Sequence, residues 1–185
     1  MALIDYSPPE RFVAGTVGPP GQRQFFLQAR GAGRTTSVAL EKTQVSILAD
    51  RVNDLLDDFA AGAATEQQAG SKLDMAPLDT PIEAEFVVGT MGLSWDPERT
   101  VIIIECHAAG DSFDTAEATP ERVEVDPAED PEQLVLRVCL SPAEARAFAR
   151  RSAKVVAAGR PPCPFCAGPL DPTGHICPRA NGYRR

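Results

Sequence analysis

The heptapeptide FVAGTVG begins at Phe12 and FVVGTMG begins at Phe86, 74 positions later, with five of seven residues identical. An internal repeat restricts the fold more than any other feature of this chain. Each copy must be able to build the same elements, and the two must bury each other's apolar faces.

The first copy reads as a strand over Phe12–Gly18, broken by GPPGQ, then a strand over Arg23–Arg30 and, past a glycine-rich turn, a third over TTSVAL (35–40). From Thr43, a candidate N-cap, the apolar period changes. Val45, Leu48, Val52, Leu55, Leu56 and Phe59 recur at three- and four-residue spacing, one face of a helix. The second copy repeats the plan with strands at Phe86–Gly92, Thr100–His107 and Gln133–Leu140, and with LSWDPER as a turn. Ser141-Pro142-Ala143-Glu144 then starts a helix that runs to about Ala158, where Gly159 stops it. Aligning Leu40 with Leu140 pairs Val45, Leu48 and Leu55 with Ala145, Phe148 and Val155.

The fold predicted is α+β. A duplicated β-β-β-α unit forms a mainly antiparallel sheet with two helices packed on it, the copies being related by a pseudo-twofold axis. A small C-terminal zinc-ribbon-like knuckle follows. Residues 1–159 form the duplicated domain, with repeat one at 10–60, repeat two at 82–159, and between them a mobile linker at 61–81 rich in Ala, Gly, Gln and Pro. Residues 160–185 form the knuckle tail.

Charge separates the regions that the copies do not share. The chain carries a net charge of −8. An insertion at 110–133 holds nine acids against Arg122 alone, whereas Gly159–Arg185 holds four arginines (160, 179, 184, 185) against Asp171. Such runs ordinarily form solvated surface, and the acidic body argues against a nucleic-acid coat. The N-terminus lacks a signal-peptide pattern, and the longest strongly apolar run, Val101–Ile104, is too short to span a bilayer. These features point to a cytoplasmic protein with no membrane insertion, in which cysteines serve as metal ligands or core residues rather than disulfides.

Three of the five cysteines lie in CPFCAGPLDPTGHICPRANGYRR, the last 23 residues. Cys163 and Cys166 form a C-x-x-C turn that aims two thiolates at one ion, and His175 and Cys177 follow within a dozen residues. Cys163, Cys166, His175 and Cys177 make a closed tetrahedral set for one structural Zn2+, leaving no position for an activated water. A segment this short cannot bury a core, and a metal is the usual substitute. A turn must bring His175 and Cys177 to the same ion. Failing that, the fourth ligand would come from a partner or from His107. A thioredoxin-like redox pair, the other chemistry of C-x-x-C, opens a helix after a strand, which Pro161, Pro162 and the later Cys177 fit poorly.

Catalytic signals are few. His107 follows Cys106 on an apolar strand, and neighbours in a strand face opposite ways, so the two do not form a nucleophile–base pair. Cys106 and Cys139 fit the core pattern. Thr16 and Thr90 hold equivalent places in the two copies and could line a cleft between them, although paired turn threonines explain them as well. Asp50, Asp54, Asp57 and Asp58 suit a solvated helix face.

FVAGTVGPPGQRQFFLQA at the N-terminus and CPFC…PLDPTGH-x-CPRANG at the C-terminus resemble an actinobacterial family of conserved proteins of unknown function, along the full chain. It is similar to a family whose genes neighbour those of a histidine-phosphatase-like and a lipid-kinase-like protein, which implies at most a shared pathway. The resemblance implies that the four terminal ligands belong together, and it carries over no catalytic residue. The function expected is a non-catalytic, zinc-containing binding or regulatory protein that docks a protein partner through its tail. An enzyme with a site at the junction of the repeats, using His107 or nearby carboxylates, is the alternative. A nucleic-acid-binding ribbon, using Arg179, Tyr183, Arg184 and Arg185, comes third.

Overall fold

The computed structural model describes residues 2–60, 62, 66–110, 134–159, 163–167, 170 and 176–179. The expected acidic insertion lies outside the described residues apart from Gly110, as do His175 and three of the four tail arginines.

Strands β1 (Ala2–Tyr6), β2 (Arg11–Val17), β3 (Gln24–Gly31) and β4 (Arg34–Leu40) lead into helix α1 (Lys42–Phe59). A short helix α2 (Glu66–Lys72) precedes β5 (Ala84–Asp96), β6 (Val101–Ala108), β7 (Leu134–Leu140) and helix α3 (Pro142–Ala157). The order strand-strand-strand-helix therefore occurs twice, as β2-β3-β4-α1 and β5-β6-β7-α3. The equivalence is residue by residue at the helix starts. Leu40 and Leu140 end their strands, and both helices begin two residues later behind a capping box. Gln44 Oε1 accepts from the Glu41 amide at 2.8 Å, and Glu144 Oε2 from the Ser141 amide at 3.1 Å. Glu41, rather than Thr43, is thus the N-cap of α1. Val45 and Ala145 are fully buried, as are Leu48 and Phe148 one turn on. Phe59, at the frayed end of the stripe, is exposed.

All seven strands join one mixed sheet in the order β1-β7-β6-β5-β4-β3-β2. Four pairings are antiparallel, while β4–β5 and β1–β7 are parallel. The second unit continues the sheet in the same sense as the first, β2-β3-β4 being followed by β5-β6-β7. The units stand in tandem, and the helices share one face.

The sheet cannot be flat. β1 and β2 are its opposite edges, yet only residues 7–10 connect them. Six strand spacings would separate the edges by about 29 Å, and five backbone steps reach about 18 Å. The sheet therefore curls and brings β1 towards the β3–β4 hairpin. Tyr6 Oη meets Thr36 Oγ1 of β4 at 2.9 Å in the interior. Gly31 makes room for the ring, because a Cβ there would sit 3.1 Å from it. The concave face wraps α1 and α3, whose Val45, Leu48, Val52, Leu56, Ala145 and Phe148 join Ile4, Phe12, Leu27, Ile104 and Leu136 in one core. Phe148 stacks on Phe12 with ring centroids 4.7 Å apart.

Of the four glycines in the two heptapeptides, Gly18 follows β2 at its turn with a φ of 100°, whereas Gly15, Gly89 and Gly92 sit inside strands, where Gly15 and Gly89 permit different close approaches. Gly15 faces outwards beneath Leu78, where a Cβ would fall 2.5 Å from the leucine side chain. Gly89 lies at a bulge in β5, where a Cβ would fall 2.9 Å from Ala109 Cα. β5 also extends through LSW to Asp96, because Leu93 and Trp95 still pack on the core. The turn comes later, with Asp96 Oδ1 accepting from the Glu98 and Arg99 amides at 3.0 Å.

The expected mobile linker is bolted down where it is described. Arg151 of α3 donates to the carbonyls of Ala14 (2.7 Å), Asp74 (2.5 Å) and Ala76 (2.8 Å). Arg11 donates to Asp74 Oδ2 at 2.6 Å and to the carbonyls of Ala76 and Pro77. The Gln28 side chain pairs with both backbone groups of Asp79. Leu78 completes a second small core with Val13 and Phe26. Because the Ala14 carbonyl belongs to edge strand β2, Arg151 also blunts that edge. The linker's composition does not show this, since its partners are arginines and a glutamine more than fifty residues away.

Removing Arg151 takes the donor from the Ala14 and Asp74 carbonyls, while Ala76 keeps Arg11, so Arg151→Met should lower unfolding free energy by about 2 kcal/mol in urea titration. The Arg11 hydrogen bond, only partly opposed by burial, together with the Ala76 amide holds the Asp74 carboxyl below the usual carboxylate range. A depressed folded-state pKa contributes stability that is complete above the unfolded value, about 4, and is lost as pH falls below it. Unfolding measured from pH 6 downwards should therefore show a shallower acid loss for Asp74→Asn than for the native chain.

Candidate metal centre

After α3, Cys163–Ala167 folds as a tight turn. The Ala167 amide donates to the Cys163 carbonyl at 2.8 Å, and Ala167 takes a left-handed φ of 59°. This turn faces Cys163 and Cys166 the same way. The segment Ile176–Arg179 returns beside it, pinned by Arg179 Nη1 donating to the Phe165 carbonyl at 3.2 Å. The three sulfurs of Cys163, Cys166 and Cys177 all lie within 4.8 Å of one another. Cys163 and Cys177 are 4% and 7% exposed, and Cys166 is half-buried.

The spacing identifies what such a cluster can hold. Sγ of Cys163 and Sγ of Cys177 are 3.8 Å apart, and all three thiols are free rather than bridged. A tetrahedral thiolate site with metal–sulfur bonds of about 2.3 Å has sulfur–sulfur edges of about 3.8 Å. The electrostatics agree. Burial alone would raise the Cys163 thiol, but the amides of Cys166 and Phe165 donate to it and the neighbouring thiols hydrogen-bond with it, which together hold it below its ordinary range. The cluster could therefore bind a metal ion as thiolates.

Of the four nominated ligands, the structure brings the three cysteines together, and His175 lies outside the described residues. His107, the alternative fourth ligand, sits near the end of β6 on the face opposite the helices, half-buried. Cys106 points the other way into the core, where burial pushes its thiol up to about 12. Thr16 and Thr90 do not share a cleft, because β3 and β4 separate β2 from β5. The seam between the units carries an open hollow of about 560 Å³, lined among others by Arg23, Phe26, Ile82 and Val87, and His107 is not among its lining residues. Asp50, Asp54 and Asp58 face solvent, while Asp57 and Asn53 receive Arg146 of α3.

The exposed apolar pair beside the centre was not singled out in the sequence. Phe165 is 62% and Ile176 82% exposed, the two highest values among the large apolar side chains of the described residues. The available signal was their position, since each directly adjoins a cysteine of the cluster in an otherwise polar, proline-rich tail.

The family described as "Protein of unknown function (DUF3090)" matches residues 4–177. The chain belongs to the DUF3090 family. The matched span takes in both strand-strand-strand-helix units and ends on Cys177, so that it includes the whole cysteine cluster. No curated protein and no solved structure matches the chain. No helix among the described residues is long and apolar enough to cross a membrane.

The thiolate cluster leads to a direct expectation. Purified chain should contain about one equivalent of metal by elemental analysis, by the one-ion stoichiometry of such sites. Cys163→Ser should lose it. Metal-free native chain that folds normally would refute the site.

Proposed function

We propose that this is a non-catalytic, zinc-containing binding or regulatory protein of the cytoplasm, which docks a protein partner through its C-terminal knuckle. The observation that carries the proposal is the juxtaposition of a closed cysteine cluster with two apolar side chains held out into solvent. A structural metal explains how a tail without a core keeps a defined shape. Exposed Phe165 and Ile176, with Arg179 bonded to the Phe165 carbonyl, supply the anchors that interfaces favour.

In this proposal the metal is zinc and His175 is the fourth ligand. Three thiolates and an imidazole satisfy tetrahedral zinc and leave no open position for a reacting water, which is why the role assigned is structural. The body is proposed to be a duplicated β-β-β-α unit. The support is the heptapeptide repeat together with the matched helix starts after Leu40 and Leu140 and the equivalent burial of Val45 with Ala145 and of Leu48 with Phe148.

Affinity purification from the native cell, with the full chain and with a chain lacking the last 27 residues, tests the docking role. Partners should be lost with the tail. They should also be lost from a Phe165→Asp, Ile176→Asp chain that still holds its metal. Recovery of the same partners from all three would show that docking runs elsewhere.

A further inference from the structure

The three sulfurs of the metal centre differ in access to solvent. Cys163 and Cys177 are closed off, at 4% and 7% exposure, while Cys166 is the one that is only half-buried. A soluble oxidant reacts first with the thiolate it can reach. Once oxidised, Cys166 has two other sulfurs within 4.8 Å, the arrangement in which a sensing cysteine stands beside its resolving partner. The remaining cysteines do not compete, since Cys106 and Cys139 are 1% and 3% exposed within the sheet.

We propose that the centre is a peroxide-responsive switch, in which oxidation at Cys166 ejects the metal and dismantles the apolar tip. The proposal rests on the zinc reading above. In the first step the Cys166 thiolate attacks hydrogen peroxide, breaking the O–O bond to give a sulfenic acid and hydroxide. In the second, the thiolate of Cys163 or Cys177 attacks the sulfenic sulfur, forming a disulfide and expelling a second hydroxide. Two electrons pass from the sulfur pair to peroxide, and zinc, deprived of two ligands, leaves as Zn2+. Among the described residues, the hydrogen bonds that join Cys163–Ala167 to Ile176–Arg179 are the contact between the Cys163 and Cys177 sulfurs and one bond from Arg179. The Arg179 bond to the Phe165 carbonyl is an exposed one. Phe165 and Ile176 then no longer present a joint surface, so that peroxide would release a docked partner.

The test uses the full chain loaded with zinc, its metal content measured first. Hydrogen peroxide is added in small excess, zinc release is followed with a chromogenic indicator, and the cysteines are mapped by mass spectrometry. The expected result is release of the bound zinc together with a disulfide that includes Cys166, while Cys106 and Cys139 remain thiols. A thiol reductant with added zinc should restore the starting state. Zinc that is present and retained, or released with a disulfide lacking Cys166, overturns the switch and leaves the zinc reading standing. A chain that cannot be loaded with zinc refutes the zinc reading and the switch with it.

Discussion

The shape of this protein depends on a short tether. Four residues between Tyr6 and Arg11 must join the two edges of a seven-stranded sheet, and a tether of that length forbids a flat one. The curl that results decides where everything else lies. It forms the trough that receives α1 and α3, places Phe12 of one edge strand against Phe148, and carries the Tyr6 hydroxyl to Thr36 on a strand four places away in the sheet. The core is thus one continuous cluster across both units rather than two half-cores.

Within that shape, the two strand-strand-strand-helix units are put to different uses. Gly15 of FVAGTVG lets a leucine from a distant segment lie flat on the outer face, and Gly89 of FVVGTMG lets a neighbouring backbone close on a bulge. On the outer face, the first unit is apolar and covered by residues 74–82, with Arg11, Gln28 and Arg151 holding the cover in place. The outer face of the second unit carries an ion pair instead, with Glu105 and Arg137 paired at 2.7 Å across β6 and β7. The two units therefore differ on their outer faces, while their inner faces share a pattern of buried positions.

The parts legible in the sequence were those encoded by local period. The three-strand-and-helix order, the buried stripe from Val45 to Leu56 and the strong start at Ser141 depend on neighbours within a few turns. The convergence of Cys163, Cys166 and Cys177 was equally local, because the spacing is itself the geometry. Long-range pairings left no such trace. Ala2–Tyr6 was passed over as a strand because its partner is Leu134–Val138, at the other end of the chain. Glu66–Lys72 and the strap after it looked like a linker because small and polar residues dominate, and what orders them is a pair of buried guanidiniums.

One feature of the sheet bears on how such a molecule stays finite. β5 enters beside the last strand of the first unit and runs parallel to it, and β1 does the same beside the last strand of the second. The N-terminal strand therefore occupies the berth that a third unit would take. Tandem units have no intrinsic stopping point, and a vacant parallel edge on β7 would be open to the corresponding strand of another molecule, growing head to tail. Ala2–Tyr6 fills that berth with a strand of the same chain, so that the edge of β7 is no longer available as a template.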